Sequence, residues 1–330
     1  GNQASLDKGS ATLDTWARHG RFASRLVYAV IDPLLAGSPP DYLDACNLGD
    51  AAKFYFEAFD LARRCGLSKP EYRELALGVC DFMLEAQQPD GRYGREWTPA
   101  GDCVSIDGTI GCFIVPDMIA AFRTSNRREY LESAERGYRA YSRGLAEQGF
   151  TTAGALDTDC IDKESAWPLM EAGLELFDLT GNREYLDAAE AAAYYTATWQ
   201  YCHTVPVPFG SMFADMNYDS YGGTAVSTQH HHLDPYGLRF VPVFLRLGKL
   251  TGNPMWLTRA RAAWYNGMIG VSDGTLKLGG VMLPTGGQCE GYFQTRWIDR
   301  GNCSLWLVAW PTAFRLEVLR KMPDWRQLEI

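Results

Sequence analysis

The feature that most constrains this chain is a phrase repeated at long intervals. It reads Leu179-Thr180-Gly181-Asn182-Arg183-Glu184-Tyr185-Leu186, then Leu250-Thr251-Gly252-Asn253-Pro254-Met255-Trp256-Leu257, with an earlier copy at Arg123-Thr124-Ser125-Asn126-Arg127-Arg128-Glu129-Tyr130-Leu131. Weaker copies surround Lys69-Pro70-Glu71-Tyr72 and Met322-Pro323-Asp324-Trp325. Each copy separates two stretches whose apolar residues recur at helical spacing. Gly or Asn ends the first helix in a left-handed cap, and the residues after it start the second. The aromatic early in the second helix is expected to pack back against the first. Tyr72, Tyr130, Tyr185, Trp256 and Trp325 follow one another at intervals of roughly 55–70 residues, which fits one helical hairpin per repeat. The chain is therefore an array of helix pairs, and its function is to be sought at one end of that array.

Helices are expected over 10–30, 48–65, 70–87, 109–124, 127–147, 164–180, 183–200, 233–250, 254–270 and 302–321, about five and a half hairpins. The helix before each recurrent turn is the more apolar, as in Ile114-Val115-Pro116-Asp117-Met118-Ile119. The helix after it is amphipathic, with Glu132, Glu135, Arg136 and Arg139 on one side. Buried inner helices alternating with half-solvated outer ones describe a closed ring of hairpins better than an open solenoid. Pro116, Pro168, Pro242 and Pro311 fall inside the inner segments, so kinks are expected there. One domain over 1–330 follows, with the ring either incomplete or closed by the N-terminal helix; excision from a longer chain, with a further domain, would also account for the count.

Composition narrows the classes. Apolar residues make up 46% and charged residues 22% of 330, the balance of a globular protein. The net charge of −9, without any Lys/Arg-rich run, argues against a nucleic-acid surface. No stretch approaches the roughly 18 apolar residues of a membrane span. Gly1-Asn2-Gln3-Ala4-Ser5 carries no signal-peptide core, and the compartment stays open. Nine cysteines form no CxxC pair, which removes zinc-ribbon and thioredoxin readings. Cys160 and Cys289 read as passive loop cysteines. The absence of a Gly-rich phosphate loop, GxSxG or HExxH leaves no cofactor or metal to expect.

The connections are unequal. Turns from inner to outer helix are short, whereas 88–108, 148–163, 201–232 and 271–301 are long and all precede inner helices. Long loops on a rigid scaffold are where binding and catalysis concentrate. They carry Trp97 and Asp107, then Asp159 and Asp162, then Tyr221 and His230-His231-His232, then Arg296-Trp297-Ile298-Asp299-Arg300. Asp107 and Asp162 occupy corresponding places ahead of successive inner helices. Each is either a helix N-cap or one of two carboxylates whose proximity pushes their pKa values apart. The triple His points in divergent directions, so hydrogen bonding to substrate or a structural role suits it better than metal. Arg296 and Arg300 suit bidentate recognition of a carboxylate, or ion pairing with Glu290 or Asp299. Trp97, Trp297 and Tyr221 offer rings for stacking on sugar, with Asp159 as a further polar contact.

Ile106-Asp107-Gly108-Thr109-Ile110-Gly111, followed one hairpin later by Cys160-Ile161-Asp162-Lys163-Glu164-Ser165-Ala166, resembles the unsaturated glucuronyl and rhamnogalacturonyl hydrolases. Arg296-Trp297-Ile298-Asp299-Arg300-Gly301 is similar to their Trp-x-Arg-Gly segment, although Lys163-Glu164-Ser165 replaces their Met-rich run. The resemblance implies an all-α (α/α)6-type toroid, Asp162 as general acid/base and Asp107 as its partner carboxylate. It implies hydration of the C4=C5 double bond of an unsaturated uronic acid in an oligosaccharide, Arg or His holding the uronate and Trp and Tyr stacking on the ring. The alternatives are a polysaccharide lyase toroid in which His231 or Tyr221 removes a proton while Arg296 neutralises the uronate, and a non-catalytic carbohydrate-binding toroid.

Overall fold

The computed structural model describes residues 2–28, 42–152, 160–230, 232–294, 299–322 and 324–328. Its contacts gather into two compact units, Gly1–Asp159 with Glu171–Ala189, and Cys160–Met170 with Glu190–Ile330. Among the described residues the α-helices are α1 Gln3–His19, α2 Ala45–Arg64, α3 Pro70–Ala86, α4 Ile114–Ser125, α5 Arg128–Gln148, α6 Ala166–Thr180, α7 Arg183–Thr198, the single turn α8 Met212–Asp215, α9 Val241–Thr251, α10 Pro254–Met268 and α11 Trp310–Lys321. None of the helices among the described residues is long and apolar enough to cross a membrane.

The recurrent phrase forms the inner-to-outer turns. Asn126, Gly181 and Gly252 adopt φ of 59°, 69° and 71°, the left-handed conformation that Gly and Asn tolerate best. Asn126 and Gly252 return their backbone N–H to Phe122 O and Gly248 O. The aromatics that follow are buried, but their polar ends do not point at the inner helix. Tyr72 Oη donates to Asp14 of α1 at 2.7 Å, Tyr130 Oη to Asp81 of α3, and Tyr185 Oη to Glu135 of α5 at 2.8 Å. Trp256 Nε1 donates to Glu190 of α7 at 2.8 Å. Each anchor thus ties its helix to the preceding outer helix.

The prolines start helices instead of bending them. Pro116, Pro168, Pro242 and Pro311 lie in the first turns of α4, α6, α9 and α11, where the missing N–H has no intrahelical acceptor to lose. The expected inner segments of 109–124 and 233–250 open as 3-10 turns, Ile110–Phe113 and Pro235–Phe240, before the α-helix takes over. Two boundaries differ further. The helix expected over 10–30 ends at His19, after which residues 20–28 turn back through an Arg21–Val27 bridge. The helix expected over 302–321 begins only at Trp310; Cys303 and Leu307 instead make antiparallel bridges.

The long loops fold into small antiparallel ribbons at the helix entrances. In the first unit, Leu43–Asp44, Glu96–Trp97 and Cys103–Ser105 form a three-stranded sheet, joining the entrance of α2 to the loop ahead of α4. In the second, Thr224–Ala225 pairs with Leu233–Asp234, and further bridges join Asp162 to Ser227, Leu233 to Tyr292, and Tyr292 to Cys303. These bridges fix three loops to one another immediately ahead of the inner helices.

Candidate functional site

The first unit contributes an exposed carboxylate. Asp107 lies between the Cys103–Ser105 strand and Ile110, its backbone N–H held by Ser105 Oγ at 3.1 Å and its side chain exposed. It does not cap the following helix, because Thr109 occupies that place. Gly108, at φ 72°, turns the chain away from Asp107, and a Cβ there would overlap Thr152 Oγ1. That hydroxyl accepts from Thr109 N at 2.8 Å, so turn and helix entrance are pinned together. The aspartate that does cap an inner helix here is Asp44, which accepts from Asn47 N at 2.9 Å. Burial raises its pKa against the lowering effect of those hydrogen bonds.

Trp97 is only 2% exposed and meets Phe82 edge-on at 5.2 Å. A ring so enclosed packs the unit's interior and offers no free face to a sugar. Asp159, His231, Arg296 and Trp297 lie outside the described residues.

The second unit holds the denser cluster. Ile161–Asp162 is a two-residue strand, and Lys163 follows it in a bend. Asp162 is 2% exposed, with its peptide carbonyl accepting from Tyr195 Oη. The side chain of Lys163, fully buried, reaches Asp234 Oδ2 at 2.9 Å and passes 5.1 Å from the centre of the Tyr236 ring. Asp234 is itself a cap, accepting from Tyr236 N at 3.2 Å and Thr224 Oγ1 at 3.0 Å. Both carboxylate oxygens are therefore occupied, which is what allows an ion pair to persist without water.

Around this pair stands an aromatic wall that sequence reading missed. The Arg239 guanidinium lies 3.6 Å from the centre of the Trp167 ring and 5.1 Å from that of Phe314, and donates to Tyr236 Oη at 3.1 Å. Tyr236 in turn contacts Trp310 and Phe314, and Trp310 Nε1 donates to Glu290 Oε1 at 3.2 Å. Trp167, Tyr236, Arg239 and Trp310 all sit in the first turns of inner helices. The sequence signal for it is Tyr236 and Arg239 three residues apart directly after the capping Asp234.

His230 and His232 face each other with ring centres 5.9 Å apart, near perpendicular, and His232 also contacts Phe293. Tyr221 is elsewhere. It lines an open groove of about 800 Å³ with Trp264, Tyr265 and Met268 of α10. Arg300 is exposed and donates to Pro206 O at 3.1 Å. Thus Asp162, Lys163, Asp234, Tyr236 and Arg239 form one neighbourhood, whereas Tyr221 faces a different set of residues.

No protein-family model and no curated protein sequence matches the chain. Solved structures match in architecture. A sugar epimerase from a ruminal bacterium superposes with a TM-score of 0.62 at 13% identity, over 96% of this chain and 80% of that one. A GH76 α-mannanase from Bacteroides thetaiotaomicron gives 0.54 at 15%, over 87% and 70%. The unsaturated glucuronyl hydrolase from Bacillus sp. GL1 gives 0.53 at 15%, over 85% and 74%. The fold is the six-hairpin glycosidase fold. It is the (α/α)6-type toroid class that the helix-pair array and the local resemblance led one to expect. At such identities the six-hairpin likeness carries architecture, and activity must be argued from residues.

Proposed function

We propose that this chain is a carbohydrate-active enzyme that hydrates or hydrolyses uronic-acid-containing oligosaccharides, with Asp162 as the acid/base group. The observation that carries the reading is the enclosed Asp162, next in sequence to the buried Lys163–Asp234 pair. The unit that holds them also holds Arg239, flanked by Trp167, Tyr236 and Phe314. These side chains are 2–6% exposed and form the buried wall of the unit, whereas the exposed Arg300 is the guanidinium offered to a uronate. The carbohydrate-acting proteins that share the fold support the same class.

In this reading Asp162, as the acid, gives its proton to one carbon of the C4=C5 double bond. Water adds to the other carbon while the resulting carboxylate takes the water's proton. The hemiketal so formed opens and releases the rest of the oligosaccharide. The resemblance gives Asp107 the part of second carboxylate, and the exposed Arg300 is the cation proposed to act on the uronate. The test is turnover of an unsaturated glucuronyl disaccharide, followed as loss of its double-bond ultraviolet absorbance. Asp162→Asn is expected to lower the rate by ~10²–10⁴, and turnover at the parental rate would remove Asp162 from the mechanism. Asp107→Asn tests the partner role separately. A rise in absorbance with intact polysaccharide would mark a lyase, and retention of ligand with neither change a binding module.

A second reading rests on the His230–His232 pair and the likeness to a sugar epimerase. Two imidazoles can remove a proton beside a sugar carbonyl and return one. Incorporation of solvent deuterium at that carbon would favour it over hydration.

A further inference from the structure

The groove beside α10 shares no residue with the Asp162 neighbourhood. It is lined by Asp219 and Tyr221 of the third long loop, by Trp264, Tyr265 and Met268 of α10, and by the buried Leu328. The loop is locked against that helix. Asn266 Nδ2 donates to Asp219 O at 2.7 Å, and Gln200 Nε2 donates to Gly222 O at 3.2 Å and to Arg259 O at 3.1 Å. Gly222, at φ 83°, lies so close to Ala262 O that a Cβ would overlap it. Asp219 is fixed in turn, its Oδ1 accepting from Thr204 Oγ1 at 2.7 Å and from Tyr221 N at 2.9 Å. The groove is therefore formed before any ligand arrives, which lowers the ordering cost of binding.

Its polar groups are unspent. Asp219 Oδ2, Tyr221 Oη, Tyr265 Oη and Trp264 Nε1 have no hydrogen-bond partner among the described residues. Tyr265 and Met268 are 39% and 42% exposed. Trp264, Tyr265 and Met268 span about 6 Å along the helix axis, which spreads them into a strip and not a closed box. The volume of about 800 Å³ is of the size that takes drug-sized ligands and far exceeds a single ammonium group. Asp219 is the charged residue among the described residues that line the groove. A fixed carboxylate with a free oxygen repels a uronate and accepts from hydroxyl groups.

We propose that this groove is a second carbohydrate site, which takes neutral pyranose residues. The apolar face of a sugar lies on Trp264 and Tyr265, and Asp219 Oδ2 accepts from its hydroxyls. Tyr221 Oη and Trp264 Nε1 donate to its oxygens. The proposal rests on the carbohydrate class of the function proposed above but on none of its catalytic residues. Binding here needs no turnover. A chain that bound neutral sugar in this groove but failed to hydrate an unsaturated disaccharide would lose that function and keep this site.

The test is isothermal titration of the folded protein with cellohexaose, mannohexaose and maltohexaose. At least one is expected to bind saturably, and trigalacturonate to bind more weakly than it. Tyr265→Ala removes an exposed ring, and Asp219→Asn keeps Oδ1 for Thr204 and Tyr221 N while cancelling the charge. Both variants should fold, as circular dichroism will show. Each should raise Kd about tenfold, the scale of one lost hydrogen bond to a charged group. Phe209→Ala, at an exposed ring outside the groove lining, should leave Kd unchanged. Absence of binding by all three sugars, an unchanged Kd in either groove variant, or tighter binding of trigalacturonate would overturn the proposal. Displacement of the sugar by an equal concentration of tetramethylammonium would assign the groove to cations and overturn it as well.

Discussion

The indole N–H of Trp256 donates to Glu190 Oε1 at 2.8 Å, tying α10 to α7. The indole also stacks on Phe244 of α9, ring centres 5.4 Å apart, so one side chain binds its own hairpin and its neighbour. Tyr72–Asp14, Tyr130–Asp81 and Tyr185–Glu135 repeat the arrangement between other outer helices. The anchors are apolar bodies with a polar tip, the side-chain type needed where one end is buried and the other reaches a carboxylate.

This double role gives a graded prediction. Trp256→Phe keeps an aromatic against Phe244 but leaves Glu190 without the indole donor, at an expected cost of ~1–3 kcal/mol. Trp256→Ala loses the packing as well and should cost ~3–5 kcal/mol. Urea unfolding of both variants measures the two steps. Equal losses would mean that the packing against Phe244 carries nothing beyond the hydrogen bond.

The same tyrosines predict alkaline sensitivity. Burial pushes Tyr185 from the ordinary 10.0 up to about 12, and raises Tyr72 and Tyr130 further. Below pH 10 the phenols are protonated in both folded and unfolded chains, and their stabilising share is complete. As pH rises toward 12 the unfolded chain ionises first, so stability falls with pH. Unfolding free energy should decline across that window, and Tyr185→Phe should make the decline shallower. An unchanged slope in the variant would count against the Tyr185 assignment.

The turn phrase was legible because a positive φ demands Gly or Asn, as Asn126, Gly181 and Gly252 show. The proline positions were legible but not their meaning, since apolar spacing alone does not separate a 3-10 entrance such as Pro235–Phe240 from the α-helix after it. Leu305, Trp306 and Leu307 misled for a related reason. A short apolar run reads as a buried helix, yet these three are exposed and lie ahead of α11. Within the candidate site, the places of Asp107 and Asp162 ahead of inner helices could be read from the sequence. The pairing of Lys163 with Asp234, and of Arg239 with Trp167, could not, because each joins residues about seventy positions apart and no local rule encodes that.

Lys163 and Asp234 should behave as a unit. Lys163→Met removes the ammonium from a fully buried place and leaves Asp234 with only Thr224 and its cap, at an expected cost of ~3–5 kcal/mol. Asp234→Asn retains a side-chain oxygen for Tyr236 N but opposes the buried ammonium with a neutral amide. The double variant Lys163→Met/Asp234→Asn should therefore lose less than the sum of the singles. Strict additivity in urea unfolding would show that the 2.9 Å contact is not coupled.

Arg239 offers the sharpest test of the aromatic wall. Its guanidinium lies flat enough to approach the Trp167 ring centre at 3.6 Å while holding Tyr236 Oη. A lysine keeps the charge but is a compact ammonium without a planar face or a second directed donor. Arg239→Lys should thus cost ~1–3 kcal/mol through the lost stacking and hydrogen bond together. If stacking on Trp167 carries much of that, the same change made in a Trp167→Leu background should cost distinctly less. Equal costs in the two backgrounds would assign the loss to the hydrogen bond with Tyr236 and remove Trp167 from the explanation.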